Sequence, residues 1–173
     1  PWGIVVWGSR KPADEIPPEK DLLAAALEQA VDMWDTEIVE AYSCGDAAYA
    51  HWLGWLRGVQ AGTVDDPKAG MRGNGWCFDV LIQNRRIAAT WLKGKADLLG
   101  EDAGEHLRAA ADHYGQMVDG LMAGLDCPWD LALTPNQFDR WTDDLRREQI
   151  ERLEAAREHD RAAIDAIRKV VGA

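Results

Sequence analysis

The sequence predicts a mainly α-helical protein: a bundle of five to six helices in one domain, residues 1–173, with one short N-terminal β-strand. Three observations support this fold class. Apolar residues recur every three or four positions over most of the chain, which is typical of amphipathic helices. The 173 residues are 47% hydrophobic, which is enough for one core and little for two. Residues 1–8 alone form a short β-branched run bounded by glycine, which indicates a strand.

The strand predicted at residues 1–8 cannot satisfy its own backbone hydrogen bonds. We therefore expect residues 3–7 to pair with a strand from outside the helical body. That strand would belong either to a second copy of the chain or to a segment that precedes residue 1. The next residues form a loop that ends in two prolines, which favour the start of a helix.

Six helices are predicted in the rest of the chain, and their bounds are residues 18–42, 43–58, 74–99, 101–125, 135–141 and 142–171. The apolar face of the first helix is predicted to consist of Leu23, Leu27, Ala30, Trp34, Ile38 and Ala41. Ser43 and Asp46 have the spacing of a capping box, which predicts the start of the second helix. Residues 58–73 are rich in glycine and acid, so we expect a loop there. Asn74 is then the predicted N-cap of the third helix.

The C-terminal forty residues are expected to form a short helix followed by a long one. A single helix from Thr134 to Val171 would exceed about 50 Å, which is long for a domain of this size. Thr134 and Gln137 resemble a capping box with proline at the first helical position. Thr142, followed by two aspartates, provides a second helix start.

Charge and composition argue against several classes of function. With a formal net charge of −11 and a pI near 4.7, most of the surface should repel the phosphates of nucleic acid and of anionic lipid. No apolar run reaches the roughly 20 residues that cross a bilayer, and no signal peptide is recognisable. We therefore expect a soluble, cytoplasmic protein that binds neither nucleic acid nor membranes.

No catalytic or metal-binding constellation is recognisable in the sequence. The four histidines lack the spacings typical of helical metal sites, and His106 and His113 lie seven residues apart. The three cysteines lack CxxC spacing, so we expect free, mostly buried thiols rather than disulfides or a zinc site. No phosphate-binding glycine loop or nucleophile elbow is present. We expect no cofactor, and whether the chain takes part in catalysis stays open.

The third helix contains a polar pair whose burial can be predicted. Its solvent face is predicted to be a stripe of about 80° that holds Asp79, Gln83, Arg86, Thr90, Lys93 and Asp97. Asn84 and Arg85 lie roughly 140° and 120° from the centre of this stripe, among apolar residues. Both side chains should therefore be mostly buried and hydrogen-bonded to other helices, since an unpartnered buried polar group costs a few kcal/mol. They could form either an internal network or a ligand site.

The nine tryptophans are an unusually large number and leave the same two interpretations open. Most of them could fill wide gaps between helices, or some could line a pocket for a flat or apolar ligand. The candidate pocket residues are Tyr49, Trp52, Trp76, Asn84, Arg85 and Tyr114. Aromatic faces from this set and the guanidinium fork of Arg85 would suit a flat or apolar body that carries an acidic or carbonyl group.

An ordered set of segments resembles a known family. These segments are PWGIVVWG, AYSCGDAAYAHWLGWL, NRRIAATWL, EHLRAAADHYGQMVDGL and LEAAREHDRAAIDAI. Together they are similar to the C-terminal helical half of two-domain proteins related to butirosin biosynthesis protein H. The resemblance covers essentially the whole chain, although Asn84 stands where an acidic or small residue is expected before the two arginines.

The resemblance implies a function for the chain. In that family a papain-like cysteine-peptidase fold comes first, and the butirosin protein resembles an acyltransferase whose cysteine and histidine would lie in that preceding half. This chain would then be a helical accessory or substrate-covering domain that contributes a small-molecule pocket, with a papain-like domain before residue 1 as its partner. The alternative is a self-contained, non-catalytic bundle, monomeric or dimeric, that binds a ligand or another protein.

Overall fold

The computed structural model describes residue 12 and residues 15–172. The strand predicted at residues 1–8, and its expected pairing, lie outside the described residues. Helices make up most of the described chain, which confirms the mainly α fold class. The α-helices are α1 (Glu19–Asp35), α2 (Gly45–Gln60), α3 (Pro67–Lys95), α4 (Glu101–Met122) and α5 (Asp143–Val171). None of the helices in this described part is long and apolar enough to cross a membrane.

The first helix ends earlier than the predicted residue 42, because a hairpin follows it. The backbone of Thr36 is extended, and both its N–H and its Oγ1 donate hydrogen bonds to the carbonyl of Asp32. Strands β1 (Ile38–Val39) and β2 (Tyr42–Ser43) then pair antiparallel around a turn in which Glu40 has a φ of 54°. Two β-branched residues in succession favour the strand over another helical turn. The prediction that Ile38 belongs to a buried helix face is therefore wrong.

The start of α2 does not use the predicted capping box. Cys44 is the N-cap and makes no side-chain cap, while Ser43 Oγ contacts His51 Nδ1 at 3.2 Å. Asp46 instead binds the guanidinium groups of Arg157 and Arg161 in α5. Gly45, with a φ of 52°, is required here, because a Cβ on it would lie 2.0 Å from the carbonyl oxygen of Trp34.

The predicted loop at residues 58–73 is confined to residues 61–66, because residues 58–60 end α2 and residues 67–73 form the first two turns of α3. Asp66 caps the helix by accepting a hydrogen bond from the Ala69 N–H at 3.0 Å, and Pro67 follows at the first helical position. Gly70 is explained by packing, since a Cβ on it would lie 2.4 Å from the Trp55 ring. The prediction that Asn74 is an N-cap is therefore wrong, and this residue lies buried inside the helix.

The C-terminal third contains the predicted breaks at slightly different positions. The fourth helix ends at Met122, three residues before the predicted residue 125, because Arg152 of α5 donates to the carbonyls of Leu121 at 2.8 Å and Ala123 at 2.6 Å. The predicted helix at residues 135–141 is a 3₁₀ helix, Pro135–Arg140, and two further 3₁₀ segments are Ala96–Leu99 and Pro128–Asp130. Thr142 caps α5 by accepting from the Leu145 N–H.

The core forms where α4 packs between α3 and α5, and α1 and α2 complete the bundle on the α5 side. Its largest fully buried side chains include Trp141 and Phe78. The Trp141 ring stacks on Trp55 with ring centroids 5.9 Å apart, so these tryptophans fill a gap between elements. One face of α3 packs into this core, and the opposite face lies outside it.

Candidate functional site

Three of the predicted pocket residues meet around a carboxylate that the sequence analysis missed. Asp160 of α5 is completely buried. Its Oδ2 accepts hydrogen bonds from Arg85 Nε at 3.1 Å, from Arg85 Nη2 at 2.8 Å and from the Tyr49 hydroxyl at 2.9 Å. The Arg85 guanidinium also lies 5.1 Å from the centre of the Tyr114 ring, within cation–π range. One cluster thus joins α2, α3, α4 and α5.

The electrostatics of this cluster fit a structural network. Burial raises the pKa of Tyr114 to about 12, although the nearby Arg85 opposes this shift. Burial and the Asp160 carboxylate also raise the pKa of Tyr49 well above its usual range. For Arg85, burial favours the neutral form, but Asp160 and the two tyrosines outweigh it and raise its pKa. At neutral pH both phenols are therefore protonated and the guanidinium is charged, so neither tyrosine nor Arg85 is poised as a general base.

A second buried polar cluster is centred on Asn74, about two turns after the start of α3. Asn74 and Gln149 of α5 exchange amide hydrogen bonds of 3.2 Å and 2.9 Å. Trp52 of α2 donates from Nε1 to Asn74 Oδ1 at 2.8 Å. The Trp52 ring also packs edge-on against Phe78, with centroids 6.5 Å apart. Trp52, a predicted pocket residue, is therefore held in a separate cluster from Tyr49, Arg85 and Tyr114.

The sequence contained a signal for both missed partners. Leu153, Ala156, Asp160 and Ala163 follow one another at spacings of three, four and three, so Asp160 lies on the apolar face of α5. Gln149 lies four residues before Leu153 on the same face. A polar residue in register with an apolar stripe indicates a buried hydrogen-bond partner, whereas the mixed charges of this segment suggested only a solvated face.

The other two predicted pocket residues lie away from these clusters. The prediction that Asn84 is buried is wrong, because its side chain is exposed. Arg85, whose side chain is 28% exposed, does have the predicted burial and contacts with other helices. Asn84 is rotated by about 100° from Arg85 around the helix axis, which places it on the outer side of α3. Trp76 is 55% exposed on the outer side of α3.

This outer side of α3 carries exposed apolar residues in one line. Trp76 is 55%, Ile87 is 66% and Trp91 is 40% exposed. Together with the residues between and beside them they form a surface that we call the outer stripe, which consists of Gly73, Trp76, Val80, Gln83, Asn84, Ile87, Trp91 and Gly94. Exposed apolar residues in one line are uncommon on the surface of a soluble monomer and mark interaction surfaces.

The histidines and cysteines of the described residues form neither a metal site nor a disulfide. His113 of α4 and His159 of α5 face each other with their Nδ1 atoms 3.4 Å apart, a pair that sequence spacing could not reveal. Within residues 15–172, no group of three or more histidine, cysteine, aspartate or glutamate side chains is arranged to hold a metal ion. The three cysteines are free, but Cys77 and Cys127 are exposed, so the prediction of mostly buried thiols is wrong.

Two surface clefts lie away from the predicted pocket residues. One has a volume of about 490 Å³ and is lined by the end of α5, the start of α4 and Leu27 and Glu28 of α1. The other, of about 360 Å³, lies between Lys93 of α3 and Asp112 of α4. Neither is lined by the Arg85 cluster or by Trp52, so these clefts do not correspond to the predicted pocket.

Comparison with known proteins provides no identity. No protein-family model matches the chain, and neither does any curated protein or solved structure. The similarity to proteins related to butirosin biosynthesis protein H therefore stays a prediction.

Proposed function

We propose that the chain is a self-contained, non-catalytic helical bundle that acts by binding another protein through the outer stripe of α3. The observation that carries this proposal is the exposure of Trp76, Ile87 and Trp91 in one line on a helix whose opposite face packs into the core. Exposing this much aromatic and aliphatic surface to water is unfavourable unless a partner covers it. Tryptophan is also enriched at the centres of protein interfaces.

The geometry supports a protein partner over a small molecule. Small-molecule sites are concave and surround most of the ligand, whereas the outer stripe runs along the convex side of a helix. The polar groups that a pocket would need are also engaged internally, since Arg85 and Tyr49 bind Asp160 and Trp52 binds Asn74. A helix face with apolar residues at spacings of three and four is the usual surface for pairing with another helix.

Charge also favours a protein over nucleic acid or a membrane. The chain has a formal net charge of −11, which opposes contact with an anionic polymer or lipid surface. One edge of the stripe nevertheless carries Asp79 beside Arg72, Arg86 and Lys93, and these four form no ion pair within the described part of the chain. A mixed edge of this kind suits a protein surface that offers both signs of charge.

Site-specific photo-cross-linking tests the proposal. A photoreactive amino acid at Ile87 should form adducts with protein in cells of the source organism, and the same amino acid at the exposed residue Glu105 of α4 should not. Adding Trp91→Glu should abolish the Ile87 adducts, because it places a charge in the contact while leaving the core untouched. Mass spectrometry of the adducts identifies the partner.

Two outcomes would reject this function. The first is an absence of protein adducts at Ile87, or equal adducts at Glu105. The second is binding of the purified chain to anionic phospholipid vesicles that is lost in the Trp91→Glu variant, since the stripe would then be a membrane surface. The role of accessory domain to a papain-like acyltransferase is a separate prediction. A cysteine and histidine in papain-like order in a segment preceding residue 1 would support it.

A further inference from the structure

We infer that the protein which covers the outer stripe is a second copy of this chain, bound antiparallel through α3 about a two-fold axis that passes between Gln83 and Asn84. This inference rests on the proposed function of the stripe and adds the identity of the partner. Three features of α3 carry it: the symmetry of the stripe, the charges along its edge and two glycines at its ends.

The outer stripe reads nearly the same in both directions along the helix. Its midpoint lies between Gln83 and Asn84, and the apolar residues fall at equal distances on either side. Trp76 and Trp91 are equidistant from this midpoint, and so are Val80 and Ile87. In an antiparallel pair, Trp76 therefore lies at the height of Trp91 of the second copy. An interface with two-fold symmetry requires this kind of self-complementary surface.

The charges along one edge of the stripe match across the same axis. Asp79 and Arg86 are seven residues apart, or about two turns, so they share one edge of α3. A two-fold axis perpendicular to the paired helices brings this edge against the same edge of the second copy. Asp79 then lies within about 3 Å along the helix direction of the second copy's Arg86. The reverse contact forms by symmetry, which gives two ion pairs.

The ends of the same edge carry like charges. Arg72 of one copy lies near the height of Lys93 of the other, and the symmetry repeats this contact at the other end of the pair. These residues are long, exposed and at the rim, where solvent and salt screen repulsion to below about 1 kcal/mol. The central Asp79 and Arg86 contacts are closer to the axis and better shielded. The register is therefore favoured by the centre of the edge and only weakly opposed at its ends.

Glycines stand at both ends of the outer stripe, beside the tryptophans. Gly73 and Gly94 flank the two tryptophans, and no described atom outside the helix lies within 4 Å of where their Cβ atoms would be. Packing inside the described chain therefore does not explain them, although each glycine in a helix costs about 1 kcal/mol relative to alanine. In the pair, each glycine lies about one turn from a tryptophan of the second copy and leaves room for its ring.

The area is of the right order for a specific interface. A tryptophan side chain can bury about 150–250 Å², so four half-exposed tryptophans supply roughly 400 Å² of the 1,000 Å² or so that a specific interface needs. Val80, Ile87 and the amide side chains at the axis supply much of the remainder from both copies. The dimer should therefore be specific and of moderate affinity.

Cysteine cross-linking tests the register directly. In a background with Cys44, Cys77 and Cys127 changed to serine, Asn84→Cys should form a disulfide-linked dimer, because this position meets its own copy beside the axis. Trp76→Cys alone should not, since its two copies would be about 22 Å apart along the helices. Cross-linking of both variants would indicate a parallel pair, and cross-linking of neither would indicate no α3 pairing. Either result overturns the inference.

Charge exchange provides a second, independent readout. Asp79→Arg and Arg86→Asp should each weaken the dimer at least tenfold, because each places like charges opposite one another twice. The variant that carries both changes should recover most of the loss. If the double variant does not recover and the wild-type chain is monomeric, the second copy is rejected as the partner.

Failure of this inference can be told apart from failure of the proposed function. If the purified chain is monomeric while the photo-cross-linker at Ile87 captures a different protein, the stripe is a protein-binding surface and the second copy is the wrong partner. If the chain is monomeric and Ile87 captures no protein, both proposals are rejected.

Discussion

Arg85 donates two hydrogen bonds to a single oxygen of Asp160, a carboxylate with no exposure to solvent. Its other oxygen, Oδ1, is buried without a hydrogen-bond partner among the described residues. Among the described residues, only Tyr49 donates a further hydrogen bond to Asp160. The buried carboxylate therefore depends on Arg85 as its cationic partner. The pair therefore links the packing of α3 and α5 to an electrostatic contact that neither helix could satisfy alone.

Replacing Arg85 should destabilise the fold rather than only affect binding. Arg85→Met roughly keeps the volume of the side chain but leaves Asp160 buried and unpaired, so the free energy of unfolding should fall by about 3–5 kcal/mol. Denaturant unfolding measures this loss. Arg147→Met is the matched control, since Arg147 is exposed, pairs only with Asp144 of α5 among the described residues and should change stability by less than about 0.5 kcal/mol. Equal, small effects of both changes would indicate that Arg85 is free for a ligand, as in a pocket.

The amide pair between Asn74 and Gln149 should show strong energetic coupling. Asn74→Leu alone leaves Gln149 and the Trp52 N–H buried without partners, which should cost about 1–3 kcal/mol. Gln149→Leu should cost a similar amount. The double variant should cost clearly less than the sum of the two, because it removes both members of the amide pair. Additive losses in this double-mutant cycle would show that the two amides do not depend on each other.

The contacts of Asp46 predict a pH dependence of stability. Hydrogen bonds from Arg157 and then Arg161 hold the pKa of Asp46 well below its ordinary value of 3.8, although burial opposes this shift. Its stabilising contribution is thus present above about pH 4 and is lost as the pH falls toward the folded-state pKa. Because Asp46 is partly exposed, Asp46→Asn should cost less than about 1 kcal/mol at pH 7.

The size of that difference should change with pH in one direction only. The gap in unfolding free energy between the wild-type chain and Asp46→Asn should shrink as the pH falls from 5 to 2. Asp144→Asn, at an exposed ion pair within α5, is the control and should show little change. A gap for Asp46→Asn that widens on acidification would contradict the assigned ion pairs.

Gly75 should tolerate no side chain, unlike an open glycine in a neighbouring helix. A Cβ at Gly75 would lie 2.2 Å from the Trp129 ring and 2.7 Å from the Ala132 carbonyl oxygen. Gly75→Ala should therefore cost about 1–3 kcal/mol. Gly54→Ala in α2 meets no atom within 4 Å and should be neutral or stabilising by up to about 1 kcal/mol. Thermal melting of both variants separates packing from helix propensity, and equal shifts would contradict the close contact.

Periodicity predicted the helices where local residues determine them. Thr142 at the start of α5 and the apolar spacing of α4 could be identified because caps and helix faces depend on near neighbours. The start of α3 could not, because Gly70 resembles a loop residue until the tertiary fold places the Trp55 ring that requires a glycine there. From the sequence alone a glycine indicates a helix break, whereas in the folded structure it can instead allow a close contact between side chains.

The candidate site was predicted only in part for a related reason. Periodicity indicated an apolar arc on α3, but it could not distinguish core residues from the exposed apolar residues of the outer stripe. Asn84 was therefore predicted to be buried, although it lies on the exposed side of α3. Arg85 was placed correctly, while its partner Asp160 lies 75 residues away and becomes visible only once α3 and α5 are packed together.

Sedimentation equilibrium tests most directly whether the outer stripe of α3 binds a second copy. The wild-type chain should approach twice its 19.2 kDa mass as its concentration rises. Ile87→Asp, which places a charge at the centre of the stripe, should stay at 19.2 kDa with an unchanged melting temperature for the monomer. A wild-type chain that remains monomeric at every concentration, or an Ile87→Asp variant that dimerises as well as the wild type, would contradict this dimer.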